Sequence, residues 1–89
     1  MNSQLNVLYI DDERENLIVF RSSFKRNFNV FVANSTKEAW PILETELIQV
    51  VISDQRMPIQ TGTEFFTELK DQRPDIIRIL RTGYADFDD

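Results

Sequence analysis

Residues 50–58, with the sequence VVISDQRMP, decide the fold of this chain. The first three residues are β-branched and apolar, a run typical of a strand that is buried on both faces. The run then ends in a serine and the carboxylate Asp54, and Pro58 prevents the strand from continuing. The sequence therefore places a charged group at the end of its most apolar strand.

Outward from this stretch, apolar segments alternate with segments of helical periodicity. Strands are predicted at 6–10, 28–34, 50–53 and 76–80, and helices at 15–27, 37–47 and, stopped before Pro74, within 61–75. This order implies a parallel sheet with right-handed crossovers and helices on both faces. The predicted core contains the large apolar side chains of the helices, namely Leu17, Phe20, Phe24, Trp40, Phe65 and Phe66.

The second helix carries the clearest end signals. Ser35 or Thr36 is predicted to cap it, and Glu38 is placed for a capping box if Ser35 is the N-cap. Pro41 then falls past the first turn, where it is expected to remove a hydrogen bond or bend the helix.

Composition excludes several classes of function. A chain of 89 residues suits one domain, and its net charge of −5 argues against direct binding of nucleic acid or an anionic membrane. No apolar stretch approaches the ~20 residues needed to span a bilayer. The lack of cysteine fits a reducing cytoplasm, which is the expected location. Because histidine is also absent, any chemistry must use carboxylates, hydroxyls and a bound metal.

Polar groups follow three of the predicted strands. Asp11 and Asp12 follow the first strand, Asp54 the third and Thr82 the fourth. Ligands bind outside the carboxyl ends of the strands in such sheets, so these side chains are expected to meet at one edge. Crowded carboxylates suit a hard cation such as Mg²⁺, and a carboxylate beside that metal can act as a nucleophile toward phosphorus.

Residue types alone leave structural alternatives open for each of these groups. Asp12 can serve as a cap of the first helix, a common role for an aspartate before a helical segment. Asp54 can form a turn ahead of Pro58, and Thr82 with Gly83 can form a plain turn.

Three motifs together resemble the receiver domain of bacterial two-component response regulators. They are IDDE at 10–13, SDQRMP at 53–58 followed by Gly62, and LRTGYAD at 80–86. The resemblance implies a flavodoxin-like, doubly wound α/β fold with strand order 2-1-3-4-5. It also implies phosphoryl transfer to an aspartate from the phosphohistidine of a partner, a sensor histidine kinase, rather than classical enzymatic turnover.

Carried over residue by residue, the resemblance assigns a role to each polar group. Asp54 matches the phosphoacceptor, and Asp11 and Asp12 match the acidic pair that holds Mg²⁺, with Asp12 the direct ligand. The backbone carbonyl of Arg56 matches a further metal ligand, and Thr82 matches the switch hydroxyl.

The loop after the third strand also follows the family pattern. Met57, Pro58 and Gly62 match residues that shape the surroundings of the phosphoacceptor. Arg56 and Tyr84 occupy variable positions that, in the family, tune hydrolysis of the acyl phosphate.

The sequence also departs from the family. Residues 1–89 are expected to form a single receiver domain truncated before the family's fifth strand and helix. The family's lysine from strand five has no match, since the lysines stand at 25, 37 and 70, before strand four. An unpaired fourth strand is expected to promote self-association. A second hypothesis follows, in which the chain is a phosphorylation-incompetent receiver fragment that serves only as a docking or dimerisation module.

Overall fold

A computed structural model describes residues 4–82, in which strands and helices alternate as predicted. The strands are β1 (Asn6–Ile10), β2 (Asn29–Ala33), β3 (Val50–Asp54) and β4 (Ile77–Arg81). The helices are α1 (Arg14–Phe24), α2 (Thr36–Thr45) and α3 (Gly62–Gln72).

Within residues 4–82 the four strands form one parallel sheet in the order β2-β1-β3-β4. The order reverses between β1 and β3, so this is the switch point of a flavodoxin-like, doubly wound sheet. The register pairs Ile10 with Ser53, and Asp54 with Arg81. The predicted fold class and strand order are confirmed for these strands. No helix in this part of the chain combines the length and the apolar character that crossing a membrane requires.

The main core lies between the sheet and the helices α2 and α3. Strand side chains of one face, including Leu8 and Val51, pack with Ala39 and Leu43 of α2 and with Phe65 of α3. All of these side chains are almost fully buried, since none is more than 3% exposed. The prediction that Phe65 is a core residue is confirmed. Trp40 and Phe66 are half-buried at the margin of this core, where the ring centroids of Trp40 and Phe65 are 5.1 Å apart.

The opposite face of the sheet packs against α1. The Tyr9 ring stacks on Phe20 with 4.3 Å between centroids, and Leu17 is buried beside them. The prediction that Phe24 belongs to the core is wrong, because this side chain is 40% exposed. Phe24 is the last residue of α1, and its ring contacts the rings of Phe20 and Phe28.

The end signals of α2 are confirmed in part. The hydroxyl of Ser35 accepts a hydrogen bond of 3.1 Å from the Glu38 N–H, so Ser35 is the N-cap. The Glu38 carboxylate accepts from the N–H of Asn34 rather than from that of Ser35, so only half of the predicted capping box forms. Pro41 lies inside α2, where a proline removes one backbone donor.

One apolar surface of the sheet remains exposed. Ile77 and Ile79 of β4 are 59% and 46% exposed, and β4 pairs with β3 alone among the described strands. A groove of about 300 Å³ lies beside them, bordered by Val19 and Phe24 of α1 and by Ile52 of β3. An apolar edge strand of this kind can pair with another chain.

Candidate functional site

The carboxylates of Asp11, Asp12 and Asp54 form an acidic cluster at the carboxyl ends of β1 and β3. Each contributes an oxygen atom, and these oxygens lie within 4.8 Å of one another. Asp54 is the last residue of β3 and Asp11 directly follows β1, so the pairing of these neighbouring strands brings them together. The predicted meeting of these three side chains is confirmed. Asp12 does not cap α1, because the N-cap residue is Glu13.

Asp11 is fully buried and extensively hydrogen-bonded. Its Oδ2 atom accepts from the Tyr9 hydroxyl at 2.6 Å and from the Asn16 amide at 3.0 Å. Its Oδ1 atom accepts from the Glu13 backbone N–H at 2.9 Å. These bonds fix the orientation of the carboxylate and offset part of the cost of burying it.

Arg81 supplies the positive charge in the cluster. Its Nη1 atom lies 3.4 Å from Asp11 Oδ2 and 4.0 Å from Asp54 Oδ1, and it donates to the Tyr9 hydroxyl at 3.3 Å. The Arg81 side chain is 49% exposed, whereas Asp54 is 14% exposed. Arg81 is therefore the more exposed partner in both ion pairs.

The positive charge of Arg81 does not fully balance the acidic cluster. Burial raises the pKa of Asp54, and the negative charge of Asp11 raises it further. Arg81 and the backbone of Gln55 oppose this rise, while Asp12 adds to it. Burial and then the hydrogen bond to Asp11 raise the pKa of Tyr9, so its phenol stays protonated and remains a donor at neutral pH.

Gly62 allows α3 to begin directly against the end of β3. A Cβ atom added at Gly62 would lie 2.6 Å from the Asp54 carbonyl oxygen and 2.7 Å from Leu80 Cδ1, both too close for ordinary contact. Thr61 caps this helix through a complete capping box with Glu64. Glycine is thus required where the loop passes the acidic cluster.

The loop between β3 and α3 contains a strained residue. Ile59 has φ of 72°, and the N–H of Gln60 donates to the Pro58 carbonyl at 2.7 Å. This is the pattern of a γ-turn with a positive central φ, which is rare and strained. Its β-branched side chain is fully exposed and gains no packing energy in return.

The remaining predicted residues within 4–82 lie on the loop after β3 or directly after β4. Thr82 directly follows β4 and is exposed, and the Arg56 side chain is exposed on the loop after β3. Met57 packs against the main core, and Pro58 is exposed. Tyr84 lies outside the described residues. The roles assigned to these residues stay predictions.

Comparison with known proteins identifies the family. The family model for the response regulator receiver domain matches residues 7–89 of the chain. This chain belongs to the receiver domains of response regulators. Its fold, its strand order and its acidic cluster agree with that membership.

Two curated relatives are transcriptional regulators. The hydrogenase transcriptional regulatory protein HoxA of Cupriavidus necator is 36% identical over 88 residues, which cover 99% of this chain and 18% of that protein. The C4-dicarboxylate transport transcriptional regulatory protein DctD of Rhizobium meliloti is 32% identical and aligns with 98% of this chain and 19% of that protein. The receiver domain thus spans about a fifth of the length of these relatives.

A solved structure supports the same membership. The crystal structure of a response regulator receiver domain protein from Clostridium thermocellum superposes with a TM-score of 0.84 at 30% identity. The match covers 92% of this chain and 68% of that one.

Sequence patterns did not predict three residues of this receiver domain's site, namely Tyr9, Asn16 and Arg81. Tyr9 stands two residues before Asp11, so strand alternation would have placed the two side chains on one face. Arg81 lies just outside the predicted fourth strand, and the family resemblance implies a lysine, not an arginine, as the cation beside the phosphoacceptor. Residue spacing offered no comparable signal for Asn16.

Proposed function

We propose that this receiver domain accepts a phosphoryl group on Asp54 from the phosphohistidine of a sensor histidine kinase. The observation that supports this proposal is the grouping of Asp11, Asp12 and Asp54 within 4.8 Å at the switch point of the sheet. Asp54 is partly exposed and so can be reached, whereas Asp11 is fully buried and held by four donors. Asp54 therefore suits the nucleophile and Asp11 a fixed ligand.

The donor set fits a divalent cation. Three carboxylates meet at one point, and burial, followed by the negative charge of Asp11, raises the pKa of Asp54. Hard oxygen donors of this kind are those that Mg²⁺ binds. We assign Asp11, Asp12, Asp54 and the backbone carbonyl of Arg56 as the residues that would hold Mg²⁺. When bound, Mg²⁺ neutralises the carboxylates and the oxygens of an incoming phosphoryl group.

Asp54 performs the transfer step in this proposal. One of its carboxylate oxygens attacks phosphorus, and a new P–O bond forms as the bond from phosphorus to the histidine nitrogen of the donor breaks. The bonding electrons leave with that nitrogen, and the product is an aspartyl phosphate. Thr82, directly after the strand that pairs with Asp54, is assigned as the hydroxyl that donates to the phosphoryl group. We place this encounter in the cytoplasm, a reducing compartment that the lack of cysteine fits.

Incubation with acetyl phosphate tests the proposal. In the presence of Mg²⁺, the intact mass is expected to rise by ~80 Da, the mass of one phosphoryl group. The Asp54→Asn variant should show no gain, and chelation of the metal should abolish the gain in the unchanged protein. Glu46→Gln, which removes an exposed carboxylate outside the acidic cluster, serves as the control and should gain the same mass.

The grouping of the three carboxylates favours this function over a docking module that is never phosphorylated. A module of that kind gains nothing from burying Asp11 among four donors beside two further carboxylates, since buried charge is costly. An absence of mass gain at every Mg²⁺ concentration would support the docking module instead.

A further inference from the structure

Arg81 holds a positive charge against the Asp11 oxygen that accepts the most hydrogen bonds. A carboxylate oxygen offers about two lone-pair positions for hydrogen bonds and metal ions. Among the described residues, Asp11 Oδ2 accepts from the Tyr9 hydroxyl, the Asn16 amide and the Arg81 guanidinium, whereas Oδ1 accepts from the Glu13 N–H. A cation held by Asp11 and Asp54 would lie close to the Arg81 guanidinium, which is 3.4 Å from Asp11 Oδ2 and 4.0 Å from Asp54 Oδ1, and the two positive charges would repel each other.

Arg81 is the donor that can leave most easily. Its bond to Asp11 Oδ2 is 3.4 Å long, whereas the other three range from 2.6 to 3.0 Å. Tyr9 is held by stacking on Phe20, and the backbone N–H of Glu13 is fixed at the start of α1. Arg81 lies on the edge strand, and its side chain is 49% exposed, so the released guanidinium can enter water.

We propose that Arg81 is an internal counter-ion that competes with the divalent cation for the acidic cluster. In the metal-free protein it stabilises the crowded carboxylates of Asp11 and Asp54. When the cluster takes up a divalent ion, Arg81 withdraws from Asp11 Oδ2 and turns to solvent. Arg81 thereby sets the ion concentration at which the receiver domain is ready for phosphorylation. This inference rests on the proposed metal site.

Titration with Mn²⁺, which prefers the same oxygen ligands, tests the competition directly. Loss of the free-ion electron paramagnetic resonance signal measures binding without any phosphorylation. Arg81→Gln is expected to bind Mn²⁺ roughly fivefold more tightly than the unchanged protein. This factor corresponds to the interaction free energy of the strongest solvent-exposed ion pairs. Arg81→Lys should bind Mn²⁺ with an affinity close to that of the unchanged protein, because it retains the positive charge.

Arg78→Gln is the matched control, since it removes one positive charge from the same strand. Arg78 donates to the backbone carbonyl of Ile76 and lies on the opposite face of β4 from Arg81, so its removal should change the affinity much less. Equal affinities of Arg81→Gln and Arg78→Gln, or weaker binding by Arg81→Gln than by the unchanged protein, would overturn the proposal.

A second measurement uses the unchanged protein and so does not depend on whether a variant folds. In the unchanged protein, the side-chain NMR signal of Arg81 is expected to move toward that of a free arginine as Mg²⁺ saturates the cluster. An Arg81 signal that stays in place at saturation would contradict the displacement. If the unchanged protein binds neither ion, the metal site of the proposed function fails together with this inference. If it binds both and Arg81 has no effect, only the inference fails.

Discussion

The Tyr9 hydroxyl donates a hydrogen bond of 2.6 Å to the Oδ2 atom of Asp11. The strand that delivers Asp11 to the acidic cluster thus also delivers a donor that orients it, because residues two apart on a strand share a face. The Tyr9 ring is itself held by its stack on Phe20. Packing on the α1 face of the sheet is therefore connected to the geometry of the cluster through a single side chain.

Removal of the Tyr9 hydroxyl should destabilise the protein. Tyr9→Phe keeps the aromatic stack but takes one donor from a buried carboxylate, and a hydrogen bond to a charged group contributes roughly 1.5–3 kcal/mol. Urea unfolding of the metal-free protein at neutral pH measures the loss. The same change in an Asp11→Asn background is the control and should cost clearly less; an equal cost in both backgrounds would show that the hydroxyl does not act through the charge of Asp11.

Asp54→Asn should stabilise the metal-free protein at neutral pH. The pKa of Asp54 is raised in the folded state above the ordinary 3.8, so the folded protein holds this proton more tightly than the unfolded chain does. Stability from this group is fully present below pH 3.8 and is lost as the pH rises through the folded pKa. Thermal unfolding in a chelator should show a higher Tm for Asp54→Asn at pH 7, with the difference vanishing toward pH 3.5.

An unchanged Tm difference across that pH range would contradict the raised pKa. Glu46→Gln, an exposed carboxylate outside the acidic cluster, provides the control for removal of one negative charge.

Gly62→Ala should destabilise the fold where α3 begins. The added methyl group would lie 2.6 Å from the carbonyl oxygen of Asp54, and a backbone atom paired within a sheet cannot move aside easily. Overpacking of this kind costs roughly 1–3 kcal/mol in the free energy of unfolding. Thr67→Ala, an exposed change in the same helix, is the control for urea unfolding and should have a much smaller effect. A neutral Gly62→Ala would mean that the loop shifts freely.

Ile59→Asn should stabilise the protein by about 1 kcal/mol, the lower end of the penalty for a branched side chain in the left-handed region. Ile59 has φ of 72°, a conformation that asparagine adopts more readily than a β-branched residue does. Because the Ile59 side chain is fully exposed, its replacement removes no buried apolar contact. Chemical unfolding compares this variant with Leu47→Asn, which removes another exposed apolar side chain. Equal changes in the two variants would indicate a solvation effect rather than relief of strain.

Self-association through the exposed surface of β4 should depend on its isoleucines. We expect the chain to form dimers or larger species, and Ile79→Lys should shift it toward monomer, because a buried lysine opposes apolar contact. Sedimentation velocity over a range of concentrations measures the change. Leu47→Lys, which adds the same charge at another exposed apolar position, should leave the association intact. A monomer at all concentrations would contradict the prediction.

Local sequence signals predicted the parallel sheet and the acidic cluster, whereas the strand order was implied by the family resemblance. Alternating apolar strands and helices define a parallel sheet, and polar residues directly after β1 and β3 must then meet. Helix ends were less accurate: α1 stops at Phe24 rather than at residue 27. Phe24 fits the helical period of the buried face, yet it lies in the final turn and is 40% exposed.

Arg81 could not be assigned from sequence because its position depends on a long-range relationship. Its contact with Asp11 requires that β4 pair with β3 in one particular register, which places Arg81 beside Asp54. A shift by one residue would turn the guanidinium to the opposite face of the sheet. Local patterns identified β4 as a strand, but they did not specify that register.

The pairing of β1 with β3 has a consequence for how this receiver domain assembles. Asp11 and Asp54 are far apart in the chain and become neighbours only when the intervening strand and two helices have formed the crossover. The unfolded polypeptide therefore lacks the acidic cluster. A cation that binds the cluster stabilises the folded state alone. Occupancy by a cation should accordingly protect the amides of β1 and β3 together from hydrogen exchange.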